Sequence, residues 1–196
     1  RTTAREFLPL DPTSLPPPAT FTYDAANRIA SMNGELFEYD AGGNLTSGVI
    51  GGESTTLVYD SRDQLTGIAS DSYEYDEEGL RIRATLDGET VEITQDPNTR
   101  LPRRLEEYDV DGNLVARYVY GIGPIARIDA AGNAAVFHFD TLGNTVALTS
   151  LDGALTDRYS YDPWGRLAGR TGSTPNPFTF HGQLGVVDDG NGLYYM

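Results

Sequence analysis

Residues 108–114 read Tyr108-Asp109-Val110-Asp111-Gly112-Asn113-Leu114, and this seven-residue unit returns along the whole chain. In each copy an aromatic or apolar residue precedes an Asp. Two variable residues and a turn former follow, and a polar residue and an apolar residue close the unit. The Asp of the eight copies stands at positions 24, 40, 60, 76, 109, 129, 140 and 162. Such recurrence indicates a repeat protein built from one small structural unit.

Each copy of the unit predicts a tight hairpin turn. The third residue after the Asp is Gly, Asn or Asp, which tolerate the positive φ that such turns require. The Asp side chain can accept a hydrogen bond from a backbone N–H two residues later. The aromatic residue therefore ends one strand, and the apolar residue begins the next. The structural turn residues that we assign are Tyr23, Asp24, Tyr39, Asp40, Gly43, Tyr59, Asp60, Tyr75, Asp76, Gly79, Tyr108, Asp109, Gly112, Asp129, Gly132, Asp140, Gly143, Tyr161, Asp162 and Gly165.

The spacing of the units predicts two strands per repeat. Most spacings lie between 16 and 22 residues, which fits two strands of about five to seven residues with their connections. The wider gap between Asp76 and Asp109 predicts a degenerate unit near Asp96-Pro97-Asn98 or near Asp87-Gly88.

The segments between the turns are typical of β-strands. Residues 90–94 and 114–120 alternate apolar and polar side chains, as strands with one packed face do. The strongest helical candidate, residues 101–108, is short. The 12 Tyr and 22 Gly also favour pleated surfaces joined by turns. We predict an all-β fold of repetitive antiparallel hairpins that form a coiled ribbon, with its tyrosines stacked in a ladder; a Tyr-lined sugar groove is the alternative.

The first 20 residues differ from the rest. They contain closely spaced prolines, which favour extended polyproline II structure over a hydrogen-bonded ladder. We predict a Pro-rich linker or arm over residues 1–20 and the β-ribbon over residues 21–196.

Composition excludes several classes of function. The net charge is −15 and every basic residue is Arg, so we expect no nucleic-acid partner. The chain has no Cys, which removes disulfides and thiolate metal sites. No apolar run approaches the roughly 20 residues that span a bilayer, so we expect no membrane span.

Two glycine-containing motifs could indicate a ligand site. Gly121-Ile122-Gly123-Pro124-Ile125-Ala126 matches a dinucleotide fingerprint, but that fingerprint requires a helix, and the next turn follows almost at once. Asp109-Val110-Asp111-Gly112-Asn113 resembles the start of a calcium loop. Leu114 and Tyr120 stand where that loop needs Gly and Glu, so we predict a plain turn, with calcium assistance as the alternative.

The remaining candidates for catalysis have structural explanations. His138 and His181 are the only histidines, and His138 fits an alternating strand. The acidic pairs Glu77-Glu78, Glu106-Glu107 and Asp188-Asp189 could suggest glycosidase carboxylates, but a solvated acidic surface is the simpler interpretation. We therefore predict no catalytic residue, no metal, no cofactor and no enzymatic activity.

The Tyr-Asp units resemble the YD repeats of bacterial Rhs proteins, insecticidal toxin-complex C proteins and animal teneurins. The C-terminal part, residues 118–196, resembles the Rhs-associated core. Its matching segments are residues 137–149, 158–165 and 192–196. The resemblance implies that the ribbon coils into a hollow shell, which encloses a toxic C-terminal region in Rhs and toxin-complex proteins and is an adhesion scaffold in teneurins.

One family motif is incomplete in this sequence. Many Rhs cores carry a self-cleavage site built on two Asp-Pro-x-Gly motifs about eighteen residues apart. Residues 162–165 fit the first motif, but residues 184–187 read Leu-Gly-Val-Val. We therefore assign Asp162 to a repeat turn and not to a protease.

The resemblance predicts a structural shell segment of a secreted or cell-surface bacterial protein that encapsulates a toxin. Its partners would be the rest of its own shell or identical copies, and an enclosed cargo. Two alternatives stay open. One is a self-assembling filament or tube, joined through unpaired strand edges. The other is an adhesin or carbohydrate-binding module that uses exposed Tyr and acidic residues to bind a surface glycan or protein receptor.

Overall fold

A computed structural model describes residues 19–99, 101–162 and 165–196 of the chain. The predicted arm at residues 1–20 lies almost wholly outside these residues. Within these ranges nineteen strands follow one another: β1 (Phe21–Tyr23), β2 (Ile29–Met32), β3 (Glu35–Leu36), β4 (Glu38–Tyr39), β5 (Leu45–Ile50), β6 (Glu53–Tyr59), β7 (Leu65–Ile68), β8 (Asp71–Tyr75), β9 (Arg81–Leu86), β10 (Glu89–Asp96), β11 (Arg103–Tyr108), β12 (Leu114–Tyr120), β13 (Pro124–Asp129), β14 (Ala134–Phe139), β15 (Thr145–Thr149), β16 (Leu155–Tyr161), β17 (Leu167–Thr171), β18 (Val187–Asp188) and β19 (Tyr194–Tyr195).

The main sheet is an antiparallel meander of fourteen strands. Strands β4 to β17 pair in chain order, each with its neighbours in sequence. A three-stranded sheet, β1-β2-β3, precedes it, and β18 and β19 form a separate pair. The described ranges contain no α-helix, only a 3-10 turn at Gly182–Leu184. The all-β prediction is confirmed, and the helical candidate at residues 101–108 forms strand β11 instead.

The wide gap in the repeat contains two further turns. Asp87 and Gly88 form the two-residue connection between β9 and β10, both at positive φ. After β10, the Asn98 N–H donates to Asp96 Oδ1 at 2.9 Å, as in the regular units. Both predicted positions are therefore turns, and the strands keep alternating through the gap.

One face of the main sheet is covered by the last 25 residues of the chain. We call residues 172–196 the strap and the face beneath them the covered face. Phe178 and Val187 of the strap pack with Tyr118, Phe137 and Leu148 of the sheet in one apolar cluster. Leu193 packs against a second cluster, which contains Leu57, Ile68, Tyr73, Ala84 and Ile93.

The sheet alternates as the sequence predicted, and the opposite face stays open. In β8 the pattern is buried Asp71, exposed Ser72, buried Tyr73 and exposed Glu74. Cross-strand partners share a face, so the alternation is continuous from strand to strand. On the open face Arg83 of β9 forms ion pairs with Glu74 and Glu92 at 2.9 and 2.7 Å.

Candidate functional site: the repeat turns and the strap

The turn at Asp109 illustrates a geometry that all eight units share. The Asp109 N–H donates to the Asn113 carbonyl at 2.9 Å, and the Gly112 N–H donates back to the Asp109 carbonyl at 3.0 Å. The Asn113 N–H donates to Asp109 Oδ1 at 2.8 Å. The same three hydrogen bonds occur at Asp24, Asp40, Asp60, Asp76, Asp129, Asp140 and Asp162.

The third residue after each Asp has a positive φ. The angle is 61° at Asn27, 60° at Asp63 and between 79° and 95° at the glycines. A type I turn followed by a residue in this region forms a hairpin with a one-residue bulge. The strand registers shift at these positions, as between Val58 and Tyr59. The structural turn residues assigned from the sequence therefore all lie in or beside such hairpins.

The fourth residue after the Asp has a role in the turn that was not predicted from the sequence. Where this residue is Asn, as at Asn113, its Nδ2 donates to the second oxygen of the Asp carboxylate at 2.9–3.0 Å. At Arg28 and Arg166 the guanidinium Nε takes the same place. The carboxylate thus receives donors on both oxygens. The recurrence of Asn or Arg at this position was visible in the sequence and could have identified the contact.

A ninth turn of the same kind was not predicted from the sequence, because Ser150 stands where the other units have Asp. The Ser150 N–H donates to the Ala154 carbonyl at 2.9 Å, and the Gly153 N–H donates to the Ser150 carbonyl at 3.0 Å. The Ser150 hydroxyl contacts the Asp152 carboxylate. Ser is a common turn former, but one hydroxyl cannot reproduce the two acceptor oxygens of Asp.

These hydrogen bonds favour the ionised form of the turn aspartates. The Asn113 side chain, and then the Asn113 backbone N–H, lower the pKa of Asp109 from its ordinary value of 3.8. Asn133 and Asn44 lower the pKa of Asp129 and Asp40 in the same way. The ionised carboxylate is therefore part of the folded turn.

Adjacent turns on one edge of the sheet contact each other. Asn44 Nδ2 donates to Asp63 Oδ1 of the next turn on that edge at 2.8 Å. Gln64 Nε2 donates to the Gly79 carbonyl at 3.3 Å, and Arg62 donates to the Asp76 carbonyl at 3.2 Å. These hydrogen bonds connect successive turns along one edge of the ribbon, in the direction in which the repeats stack.

The tyrosines of alternate units link successive turns through the backbone. Tyr39 donates its hydroxyl to the Ile29 carbonyl, and Tyr75 donates to Leu65, at 3.0 and 2.8 Å. Tyr161 donates to the Thr145 carbonyl at 2.8 Å. Each acceptor is the fifth residue after the preceding Asp. Burial raises the pKa of Tyr75 and Tyr161, so both hydroxyls stay protonated donors.

The strap is held to the sheet by a buried ion pair. Arg81 Nη1 of β9 lies 2.7 and 2.8 Å from the two carboxylate oxygens of Asp189. Both side chains are almost completely buried. The Arg81 guanidinium is sandwiched between the rings of Tyr73 and Tyr195, 4.1 Å from each centroid. The ion pair and the stacking of the guanidinium on the two rings together hold the strap against the sheet at this point, which we call the Arg81 crossing.

A second polar contact extends the attachment. Asn191 Nδ2 of the strap lies 2.8 Å from Asp71 Oδ2 and 2.7 Å from the Tyr73 hydroxyl. Next to it, Gly192 approaches Gly51 so closely that a Cβ would lie 2.9 Å from the Gly51 nitrogen. Only glycine permits this approach.

A second buried charge cluster lies on the covered face between β11 and β13. Glu107 Oε1 accepts from Arg104 Nη1 at 2.8 Å and from the Tyr118 hydroxyl at 2.9 Å. Arg127 lies farther away, with its Nη2 3.9 Å from Glu107 Oε2. The carboxylate of Glu107 raises the pKa of Arg104, against the opposing effect of burial.

The solvated-surface interpretation was wrong for two of the acidic residues. Glu107 and Asp189 are 6% and 7% exposed, and each is ion-paired on the covered face. A doublet of acids gives no local signal that one member will meet a buried Arg. The other candidates are structural: residues 121–123 join two strands without a helix, and His138 lies in β14, bonded to Thr149.

The described residues show neither a metal-binding cluster nor a membrane-spanning helix. In that part of the chain, no cluster of three His, Asp or Glu side chains is arranged to hold a metal ion. None of its helices has the length and hydropathy needed to cross a bilayer. The Asp109 carboxylate, the calcium candidate, instead accepts the backbone N–H of Asp111 and both donors of Asn113.

Residues 16–121, more than half of the chain, match the family model described as teneurin YD-shell. No curated protein sequence matches the chain.

Similar folds occur among solved structures of toxin complexes. A Photorhabdus luminescens Tc holotoxin pore carrying a TccC3 mutation is 14% identical, with a TM-score of 0.55, over 90% of this chain. TcdB2-TccC3-TEV is 15% identical, and TcdB2-TccC3 without its hypervariable C-terminal region is 13% identical; both have a TM-score of 0.52 over 90% of this chain. The match spans 11%, 13% and 11% of those chains, respectively.

Proposed function

Because this chain belongs to the teneurin YD-shell family, as its repeats predicted, we propose that it serves as a wall section of a hollow protein shell. The shell contains a toxic polypeptide, acts without turnover, and belongs to a secreted or surface-displayed protein. Residues 118–196 form the part of the wall related to the Rhs-associated core. The partners of the section are the remainder of its own shell and the enclosed cargo.

The observation that carries this proposal is the uninterrupted pairing of fourteen strands in chain order. In such a meander each hairpin pairs with the next hairpin, so that additional repeats extend the same sheet into a wall. The turn geometry is the same in all eight units, and the turns contact one another along one edge. Repetition of one locally stable unit suits a container wall better than a binding pocket.

The two faces of the sheet also support a wall. The covered face carries the apolar clusters and the buried ion pairs, and the strap lies across it. The open face carries exposed charges such as the Glu74, Arg83 and Glu92 ladder. An antiparallel sheet can keep one face packed and the other solvated, and such a sheet suits a wall.

Electron microscopy of the native protein, with intact mass measured on the same sample, tests the proposal. A closed hollow particle with a chain mass far above the 21.3 kDa of this sequence is expected. Solid or extended particles would contradict containment. Detection of a protease-resistant polypeptide released only on denaturation would identify the cargo.

A filament is the second candidate, and one feature favours it. All five residues of β17 are exposed, and within the described ranges the strand pairs only with β16. An unpaired edge can accept a strand from another copy. Regular fibres built from a chain near 21.3 kDa would support this candidate and exclude the shell.

A carbohydrate-binding role has less support. Tyr39, Tyr75 and Tyr161 use their hydroxyls on backbone carbonyls, and Tyr73 and Tyr118 are buried under the strap. These contacts favour a structural role for the tyrosines over an open aromatic groove. Within the described residues the ring contacts of tyrosines are with Phe178 and Phe180, so the predicted stack of tyrosines on one another is not seen there. A glycan-array signal that is lost when the exposed Tyr23 is replaced would support the carbohydrate-binding role instead.

A further inference from the structure

A cavity of about 360 Å³ lies between the covered face and the strap, beside the Arg81 crossing, whose Asp189 lines it. Both sides contribute polar side chains to it. Those on which the argument depends are Glu107, Arg127, Arg170, Asn176, Asp188 and Asp189. This site is independent of the proposed wall function.

Arg127 lines this cavity and, in the described part of the chain, has no carboxylate within hydrogen-bonding distance. The residue is 7% exposed. Among the described residues, no acceptor lies within hydrogen-bonding distance of its Nε. The one carboxylate within 4.0 Å in these ranges is Glu107, with Oε2 3.9 Å from Arg127 Nη2. That distance is too long for a hydrogen bond.

Glu107 cannot neutralise two arginines. Its Oε1 already accepts from Arg104 Nη1 at 2.8 Å and from the Tyr118 hydroxyl at 2.9 Å. Arg104, Glu107 and Arg127 together carry one excess positive charge. A buried charge without a partner is costly, and a guanidinium presents a planar set of donors suited to an oxyanion.

A second donor faces the same cavity from the strap. Asn176 Oδ1 accepts from the Phe178 N–H at 2.8 Å. The Nδ2 of the same amide is buried and, in the part of the chain that is described, has no acceptor in hydrogen-bonding geometry. The Tyr159 hydroxyl is its neighbour: burial raises the pKa of Tyr159, and the Asn176 side chain opposes that effect. An amide donor and a guanidinium that line one cavity make a pair of donors for an anion.

The other charged groups around the cavity are engaged elsewhere. Asp189 is bound by Arg81 on both oxygens. Asp188 accepts from Thr179 Oγ1 at 2.7 Å and from the Gly190 N–H at 2.9 Å. Arg170 donates to Asp157 at 3.2 Å. Asp189 and Arg170 are therefore paired with opposite charges outside this set, and Asp188 is held by two neutral donors, so Arg127 and Asn176 are the donors left for a ligand.

We infer that this cavity binds a small oxyanion, with Arg127 as the principal donor and Asn176 as the second. The chemistry required is a compact group with two or more acceptor oxygens, either a free inorganic oxyanion or a carboxylate. Charge-assisted bonds to such a group satisfy both orphaned donors at once.

Equilibrium titration with sulfate, at ionic strength held constant with chloride, tests the inference on the intact chain. We expect one saturable site in the wild type and binding weaker by about tenfold or more in Arg127→Gln. Arg117→Gln is the matched control, since Arg117 is an exposed residue of the neighbouring strand β12. Its binding should equal that of the wild type. Acetate in place of sulfate decides between a carboxylate and a tetrahedral oxyanion.

Two results would overturn the inference. The first is failure of both sulfate and acetate to bind the wild type. The second is equal binding by Arg127→Gln and Arg117→Gln, since general screening affects both variants alike. If Arg127→Gln does not fold, Asn176→Ala replaces it. That variant should bind the anion severalfold more weakly, and unchanged binding would exclude the site.

Discussion

Arg81 of β9 and Asp189 of the strap are separated by 108 positions in sequence, yet they form a buried ion pair at 2.7 and 2.8 Å. The pair joins the C-terminal segment to a strand near the middle of the main sheet. Its energy depends on both members, because either one alone would be a buried charge without a counter-ion.

Replacement of Asp189 by Asn should therefore destabilise the protein strongly. The neutral amide leaves the buried Arg81 uncompensated, and we expect a loss of about 3–5 kcal/mol in the free energy of unfolding. Urea denaturation measures this change. Glu74→Gln removes the exposed partner of Arg83 and is the control, with an expected loss of at most about 1 kcal/mol. Equal effects in the two variants would contradict a special role for the strap pair.

The tyrosine links lead to a second prediction. Tyr161→Phe removes the hydroxyl that donates to the Thr145 carbonyl at 2.8 Å, where the partly buried ring packs against the apolar cluster of the covered face. We expect a loss of about 1 kcal/mol, because one net hydrogen bond is removed and the ring is kept. Tyr23→Phe, at a tyrosine that is 59% exposed, should leave the melting temperature unchanged. A comparable decrease in both variants would show that the hydroxyl contact contributes nothing specific.

Local features were predictable from the sequence, and long-range ones were not. The Asp109 turn is encoded within five residues, so its Asp and its Gly112 identify both the bend and the positive φ. The Ser150 turn has the same path but lacks the Asp that marked the others. The position of the strap depends on pairs such as Arg81 and Asp189, for which no local periodicity exists. Glu107 was misplaced for a different reason, because its partner Arg104 is only three positions away. Residues three apart in a regular strand face opposite sides, and the register shift that brings these two to one face has no signal in the sequence.

The two turn glycines Gly112 and Gly143 should differ in their tolerance of a side chain. Both have positive φ, at 79° and 86°, so Val at either position should cost about 1–3 kcal/mol in backbone strain. A Cβ at Gly112 would meet nothing within 4 Å, whereas one at Gly143 would lie 3.3 Å from Gln183 Cβ of the strap. Gly143→Val should therefore be the more destabilising variant.

Thermal melting of the two glycine variants checks this order. Val110→Ala, which lies in the same turn as Gly112 and is 69% exposed, is the control and should change stability by less than about 0.5 kcal/mol. Unchanged melting in both glycine variants would exclude the left-handed conformation at these positions. A larger loss at Gly112 would mean that the strap does not approach Gly143.

The turn aspartates should make the stability of the ribbon depend on pH in the acid range. In the folded chain, hydrogen bonds from the residue four positions after each Asp lower the pKa of Asp109, Asp129 and Asp40 below the ordinary value of 3.8. A lowered carboxyl pKa means that the folded state prefers the ionised form. This contribution is complete above the unfolded pKa and is lost as the pH falls through the lower, folded pKa.

Asp109→Ala tests this linkage directly. The variant should melt below the wild type at neutral pH. The difference in melting temperature should shrink as the pH falls from the unfolded pKa of 3.8 through the lower, folded pKa, where the carboxylate of the folded wild type becomes protonated. Asp111→Ala is the matched control, because Asp111 lies in the same turn and uses its backbone N–H, not its carboxylate, in the Asp109 contact. A difference for Asp109→Ala that stays constant down to strongly acid pH would mean that the carboxylate charge does not stabilise the turn.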